Sequence, residues 1–150
     1  MKPMHACRTA FVALVLVAAS SAHAAVSCHK INAKGVGQDL GGGQTQSQMI
    51  GGGLLNGSTA GSFMITGGAP PQFQVAGTVT FTTRSAMLTV SVAGSFNVVS
   101  GVYQVAGPVT ASSGKLAGAS GMLMFDGLQD MQTGRFAQDV AGLICADLAP

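Results

Sequence analysis

The chain contains no glutamate and no tryptophan, one tyrosine, and only 8% charged residues. Each scarcity removes a class of function. General acid–base chemistry needs a positioned titratable group of suitable pKa. Beyond residue 24 the choice narrows to five aspartates, His29 and Tyr103. Basic residues are equally sparse and form no run, which argues against nucleic acid as a partner. No C-x-x-C pair occurs among the three cysteines, so the usual redox and zinc spacings are missing. No segment carries sustained helical periodicity. No apolar run reaches the roughly 20 residues that a membrane-spanning helix needs.

The longest apolar run stands at the start. Lys2, His5 and Arg8 form a cationic head, and Ala10 to Ala19 (AFVALVLVAA) follows as an apolar run of ten. Ser20, Ser21 and Ala22-His23-Ala24 then supply small residues suited to a signal peptidase. This order predicts a cleavable signal peptide over Met1 to Ala24 and a secreted or periplasmic product. A buried N-terminal helix would instead continue past residue 19 with amphipathic periodicity, and a lipoprotein site at Cys28 lacks the large aliphatic residue three positions upstream.

Cleavage would change the balance of the chain. Cys7, Lys2 and Arg8 would leave, and the net charge of +2 would fall to zero. Lys30, Lys34, Arg84, Lys115 and Arg135 would then face Asp39, Asp126, Asp130, Asp139 and Asp147. No later stretch is long enough to span a membrane, so a soluble mature protein is expected. Cys28 and Cys145 would remain near the two ends, and in an oxidising compartment such a pair is most simply one disulfide. Closing a loop of over 100 residues contributes on the order of 4–5 kcal/mol in the chain-entropy model. The alternatives are a redox pair or a metal site, with only His29 nearby.

All 22 glycines lie after the leader, and strand signals recur among them. From Phe73 to Thr83 the odd positions Phe73, Val75, Gly77, Val79 and Phe81 alternate with a threonine-rich even face. Ala86, Leu88, Val90 and Val92 continue the pattern, opposite Thr89 and Ser91. Further strands are expected at Ser27–Val36, Gln46–Asn56, Ser62–Thr66, Val102–Ala106, Gly121–Asp126 and Phe136–Ala146. Many short strands with turns between them predict one all-β domain over residues 25–150, a closed barrel or a sandwich. Asn97 to Tyr103 (NVVSGVY) is matched in type by Asp130 to Phe136 (DMQTGRF), 33 residues later. Each opens on an Asx residue and places Gly before a returning aromatic, the chemistry of a hairpin turn. Gly41-Gly42-Gly43 and Gly51-Gly52-Gly53 bracket QTQSQMI. Without a following Gly-Lys-Ser/Thr they read as flexible turns or strand bends, not as a phosphate cradle.

Gly107 to Gly127 reads GPVTASSGKLAGASGMLMFDG. Its core, Gly114-Lys115-Leu116-Ala117-Gly118-Ala119-Ser120-Gly121, resembles the G-x-apolar-x-G-A-x-G element of the allene oxide cyclase barrel-like superfamily, which includes the dirigent proteins. The resemblance extends over about Ala33 to Leu148. It implies an antiparallel eight-stranded, calycin-like barrel with an apolar interior. In the enzymes of that group the barrel holds a reactive apolar intermediate and steers its cyclisation or coupling. This chain departs from them, because it has no glutamate to match the carboxylate of the plant cyclases. The resemblance therefore carries over a fold and no catalytic residue.

The remaining chemical candidates are Asp139, Tyr103, Asp126 and Arg84. Asp139 lies mid-strand and points to solvent or into a lumen. Asp126 closes a strand beside Gly127, Arg84 follows Thr82-Thr83 at a hairpin, and Tyr103 can present its phenol at a barrel rim. The methionines Met49, Met64, Met87, Met122, Met124 and Met131 are scattered, which fits core filling better than a copper site of Met122, Met124 and His29. Asn56-Gly57-Ser58 is a formal glycosylation sequon. No cofactor is implied, and nothing sets an oligomeric state. Three functions follow, in this order: binding an apolar small molecule in the lumen, a cofactor-free cyclase or isomerase, and a structural or interaction protein of the cell envelope. An open but wholly apolar lumen points to the first, an open lumen with an inward-facing Asp, Tyr or Arg to the second, and a filled barrel to the third.

Overall fold

A strand that alternates apolar and polar residues buries one face, and eight such strands in succession can close on themselves. The computed structural model describes residues 26–148, so the leader expected over Met1 to Ala24 lies outside the described residues. The strands are β1 (Ser27–Gly41), β2 (Gln44–Ile50), β3 (Gly57–Ala69), β4 (Gln72–Thr83), β5 (Ala86–Asn97), β6 (Val102–Gly114), β7 (Ser120–Gln129) and β8 (Arg135–Ala146). Each pairs antiparallel with the next, and β8 returns to β1, so the sheet is a closed barrel. Among the described residues no helix is long and apolar enough to cross a membrane.

The period-two face of Phe73–Val92 points inward as expected. Val75, Val79, Phe81, Leu88, Val90 and Val92 are buried, while Thr78, Thr82, Met87 and Ser91 on the opposite face are exposed. Closure also resolves the cysteine question. Cys28 and Cys145 sit directly opposite one another on β1 and β8 and form a disulfide across the closing seam.

One expected strand is corrected. The segment Gln46–Asn56 is not a continuous strand, because β2 is the QTQSQMI stretch itself and ends at Ile50. Gly51 and Gly53 adopt φ of 77° and 58° and turn the chain into a short 3-10 turn, Gly53–Leu55. The glycine triplets therefore punctuate a strand. That turn drops Leu55 into one end of the barrel, where it is fully buried. Leu116, from the Gly114–Gly121 motif, enters the same end from the β6–β7 loop and is 2% exposed. Around them Ile31, Phe81, Leu88, Leu123 and Ile144 fill the lumen. This end is plugged.

The turns β1–β2, β3–β4, β5–β6 and β7–β8 lie at the opposite end. The two matched segments form two of these turns with the same bonding. Asn97 Oδ1 accepts from the backbone of Val99 and Ser100, and Asp130 Oδ1 accepts from that of Gln132 and Thr133. The backbone bond to Gln132 leads the contributions that hold the Asp130 carboxyl below its usual range. Gly101 and Gly134 close the turns at φ 75° and 72°, a region costly for any residue with a Cβ. The returning aromatics, Tyr103 and Phe136, then meet edge to face inside the barrel, with ring centroids 6.2 Å apart.

Candidate functional site

The turn end of the barrel is not filled. A cavity of about 420 Å³ opens there, within the range of sites for small organic molecules. Its wall is mostly apolar, formed by Phe63, Ile65, Val75, Val79, Phe96, Val105, Phe125 and Phe136. Part of the space exists because β1, β2 and β3 contribute small residues here: Ser47 of β2 lies between Gly37 and Thr59, and Thr45 between Asp39 and Gly61. Thr45 and Ser47 point inward from β2, and Ser47 pairs with Thr59 of β3 through their hydroxyls. Both hydroxyls are buried and satisfied, so they cost little beyond the packing they forgo.

Two polar pairs interrupt the apolar wall. In the first, the Tyr103 hydroxyl donates to Gln138 Oε1 at 2.9 Å. Tyr103 is on β6 and Gln138 on β8, with Gly127 of β7 between them in register. The ring reaches across only because Gly127 has no side chain, since a Cβ there would lie 2.1 Å from Tyr103 Cζ. In the second pair, at the mouth, Gln129 Nε2 donates to Asp39 Oδ2 at 2.9 Å, while the backbone N–H of Gly41 donates to Oδ1 at 2.8 Å. Deeper in, Gln138 Nε2 makes only a long contact of 3.7 Å with the sulfur of Met49. One amide donor is therefore weakly used.

Burial away from water pushes the Tyr103 phenol well above its ordinary pKa. It is a hydrogen-bonding group at neutral pH, not a base. The chain has one tyrosine and no tryptophan, so its phenolate absorbance reports this residue alone. An exposed phenol ionises near pH ~10, and above that value the unfolded chain binds fewer protons than the folded one. Stability is therefore intact below pH ~10 and falls as the pH rises beyond it. In an alkaline titration the phenolate signal is expected to appear together with loss of the β circular dichroism. A reversible titration near pH 10 with the barrel intact would contradict the buried phenol.

Of the four chemical candidates read from the sequence, the structure brings only Tyr103 to the cavity. Asp139 points outward and pairs with Lys34 at 2.6 Å, both side chains being exposed. Asp126 also points outward and accepts from Gln104 Nε2. Arg84 is exposed on the β4–β5 turn at the plugged end. Met122 and Met124 lie on the outer face of β7, whereas His29 bonds Ser27 on its own strand. Among the described residues no three His, Cys, Asp or Glu side chains converge. Asn56 of the sequon lies at the plugged end, where its Oδ1 accepts from the Gly52 backbone.

Gln138, Asp39 and Gln129 were not singled out in the sequence, although Gln138 and Asp39 each carried a signal. Gln138 interrupts the inward series Phe136, Val140, Ile144, and Asp39 extends the inward series Ile31, Ala33, Gly35, Gly37. A polar residue on an otherwise apolar or glycine face marks a lumen position. No family model, curated protein or solved structure matches the chain.

Proposed function

We propose that this protein is an exported barrel that binds one apolar small molecule in its lumen, with the ligand's polar end at the open mouth beside Asp39 and Gln129. The observation that carries this reading is the half-filled lumen. A barrel built for structure alone gains from packing both ends, whereas this one is sealed by Leu55 and Leu116 at one end and open at the other. Export is supported by the Cys28–Cys145 disulfide, a bond that persists in oxidising compartments. The closed eight-stranded barrel agrees with what the resemblance to the allene oxide cyclase barrel-like superfamily implied, which favours reading the chain as a small calycin-like member.

A cyclase or isomerase is the second reading, and the inward-facing Tyr103 phenol and Asp39 carboxylate favour it. Binding ranks first because the two groups that could serve as acid or base, Tyr103 and Asp39, are already engaged in hydrogen bonds. The Tyr103 proton is already given to Gln138, and the Asp39 carboxylate is held by two N–H donors.

One mass measurement tests the proposal. The full chain is expressed with its leader in a bacterial host, recovered from the envelope fraction, exposed to lipid extract, and measured intact under native conditions. The expected masses are those of a chain beginning at Ala25 with one bond between its cysteines, with and without one added small molecule. Val79 is 5% exposed and lines the cavity. Val79→Phe extends into that void, so it is expected to abolish the added mass while the barrel remains folded. Recovery of no molecule from several extracts, or equal recovery by Val79→Phe, would count decisively against lumen binding.

A further inference from the structure

The polar groups of the cavity also bear on which molecules it accepts. The charged residue in its lining is Asp39; among the described lining residues none is Lys, Arg or His. Lys34, on the same strand, is on the outer face and neutralises Asp139 there. The Asp39 carboxylate is held by uncharged N–H donors of Gly41 and Gln129, and among the described residues no Lys, Arg or His forms an ion pair with it. Tyr103 and Gln138 are neutral and can both accept and donate.

We infer that the lumen selects a cationic or neutral amphiphile, a primary alkyl amine ahead of the matching alcohol, and rejects the matching carboxylate. This rests on the reading of the lumen as a small-molecule site. An alkyl tail lies against Phe63, Val79 and Phe125, and the head remains at the mouth. There an ammonium donates to Asp39 and gains Coulomb energy in a partly desolvated setting, while a carboxylate would be placed against a like charge. At about 30 Å³ per water-sized unit, the 420 Å³ space takes roughly 14 heavy atoms, close to a dodecyl chain with its head group.

The test is a matched series on the full chain at pH 7: dodecylamine, 1-dodecanol and dodecanoate, followed by calorimetry and by emission of the single tyrosine. The amine is expected to bind on the order of tenfold or more tighter than the carboxylate, with the alcohol between them. Asp39→Asn keeps the shape and the acceptor for Gly41, so it is expected to collapse the amine–carboxylate gap and bring the three affinities together. Asp126→Asn removes an outer-face charge and is expected to leave the gap intact. Equal affinities in the unsubstituted protein, or the carboxylate tightest, overturn the charge selection while lumen binding stands. Binding by none of the three overturns both.

Discussion

Removing the Cys28–Cys145 bond is expected to lower the unfolding free energy by about 4–5 kcal/mol in the chain-entropy model, a large part of the ~5–15 kcal/mol that holds a typical domain folded. The bond joins residues 117 apart in sequence. It crosses the one strand pair whose formation requires the two ends of the chain to meet. The other seven neighbours in the barrel are consecutive strands, each closed by a short loop at small entropic cost. Twelve register positions from Ser27↔Ala146 to Gln38↔Arg135 still pair β1 with β8 without the bond, so Cys28→Ser/Cys145→Ser is expected to fold with a much reduced margin. Urea unfolding of the two forms reads the effect. The double variant should show a lower midpoint and a steeper slope, because its denatured state is more expanded. An unchanged midpoint would mean that the denatured chain keeps β1 near β8 by other means.

The legibility of the fold followed the contrast between the two faces of each strand. Phe73–Thr83 was plain because large apolar residues stand opposite threonines, and β4 matches it almost to the residue. Strand β2 was hard to place for the opposite reason. Its inward Thr45 and Ser47 differ little in hydropathy from its outward Gln44, Gln46 and Gln48, leaving only the Gln-x-Gln-x-Gln period as a signal. The expected strand at Val102–Ala106 stopped at Gly107-Pro108, whereas β6 continues to Gly114. The β5–β6 pairing passes over those two residues and its register shifts once, at Thr110, a setting in which proline is tolerated within a sheet. Strand β3 outran the expectation of Ser62–Thr66 at both ends. A register shift between Ile65 and Gly67 breaks its alternation near the mouth.

The site was less legible than the fold, because it is made by contacts across the sheet. The twin turns were visible, but the meeting of their aromatics was not, since it requires β6, β7 and β8 to be adjacent. Tyr103 and Gln138 are 35 residues apart, and Asp39 and Gln129 are 90 apart. Gly127 makes the Tyr103–Gln138 contact possible. In sequence it is one glycine among 22, and only the strand register shows that a phenol lies across it. Asp139 drew attention as a mid-strand carboxylate, but strand parity alone sends it outward, because Phe136, Gln138 and Val140 take the inner positions.

Two phenylalanines in contact test whether the two halves of the lumen differ as described. Phe81 and Phe125 pack with ring centroids 6.0 Å apart, and neither is more than 1% exposed. Phe125 lines the open cavity and Phe81 does not. Truncating a fully packed phenylalanine to alanine costs about 3–5 kcal/mol through lost transfer energy and the void left behind. Phe81→Ala is expected in that range, because Leu88 and Leu123 hold the plugged half around it. Phe125→Ala is expected to cost measurably less. Its ring is covered but borders the cavity, so the space it leaves joins an existing opening instead of forming a sealed void. The larger cavity should also admit a longer alkyl chain than the unsubstituted protein, while Phe81→Ala leaves chain-length preference unchanged. Urea midpoints and a ligand series of increasing length check both expectations. Equal destabilisation by the two variants, with no change in preferred length for Phe125→Ala, would mean that both halves are packed alike, and the lumen would then be core and not a binding site.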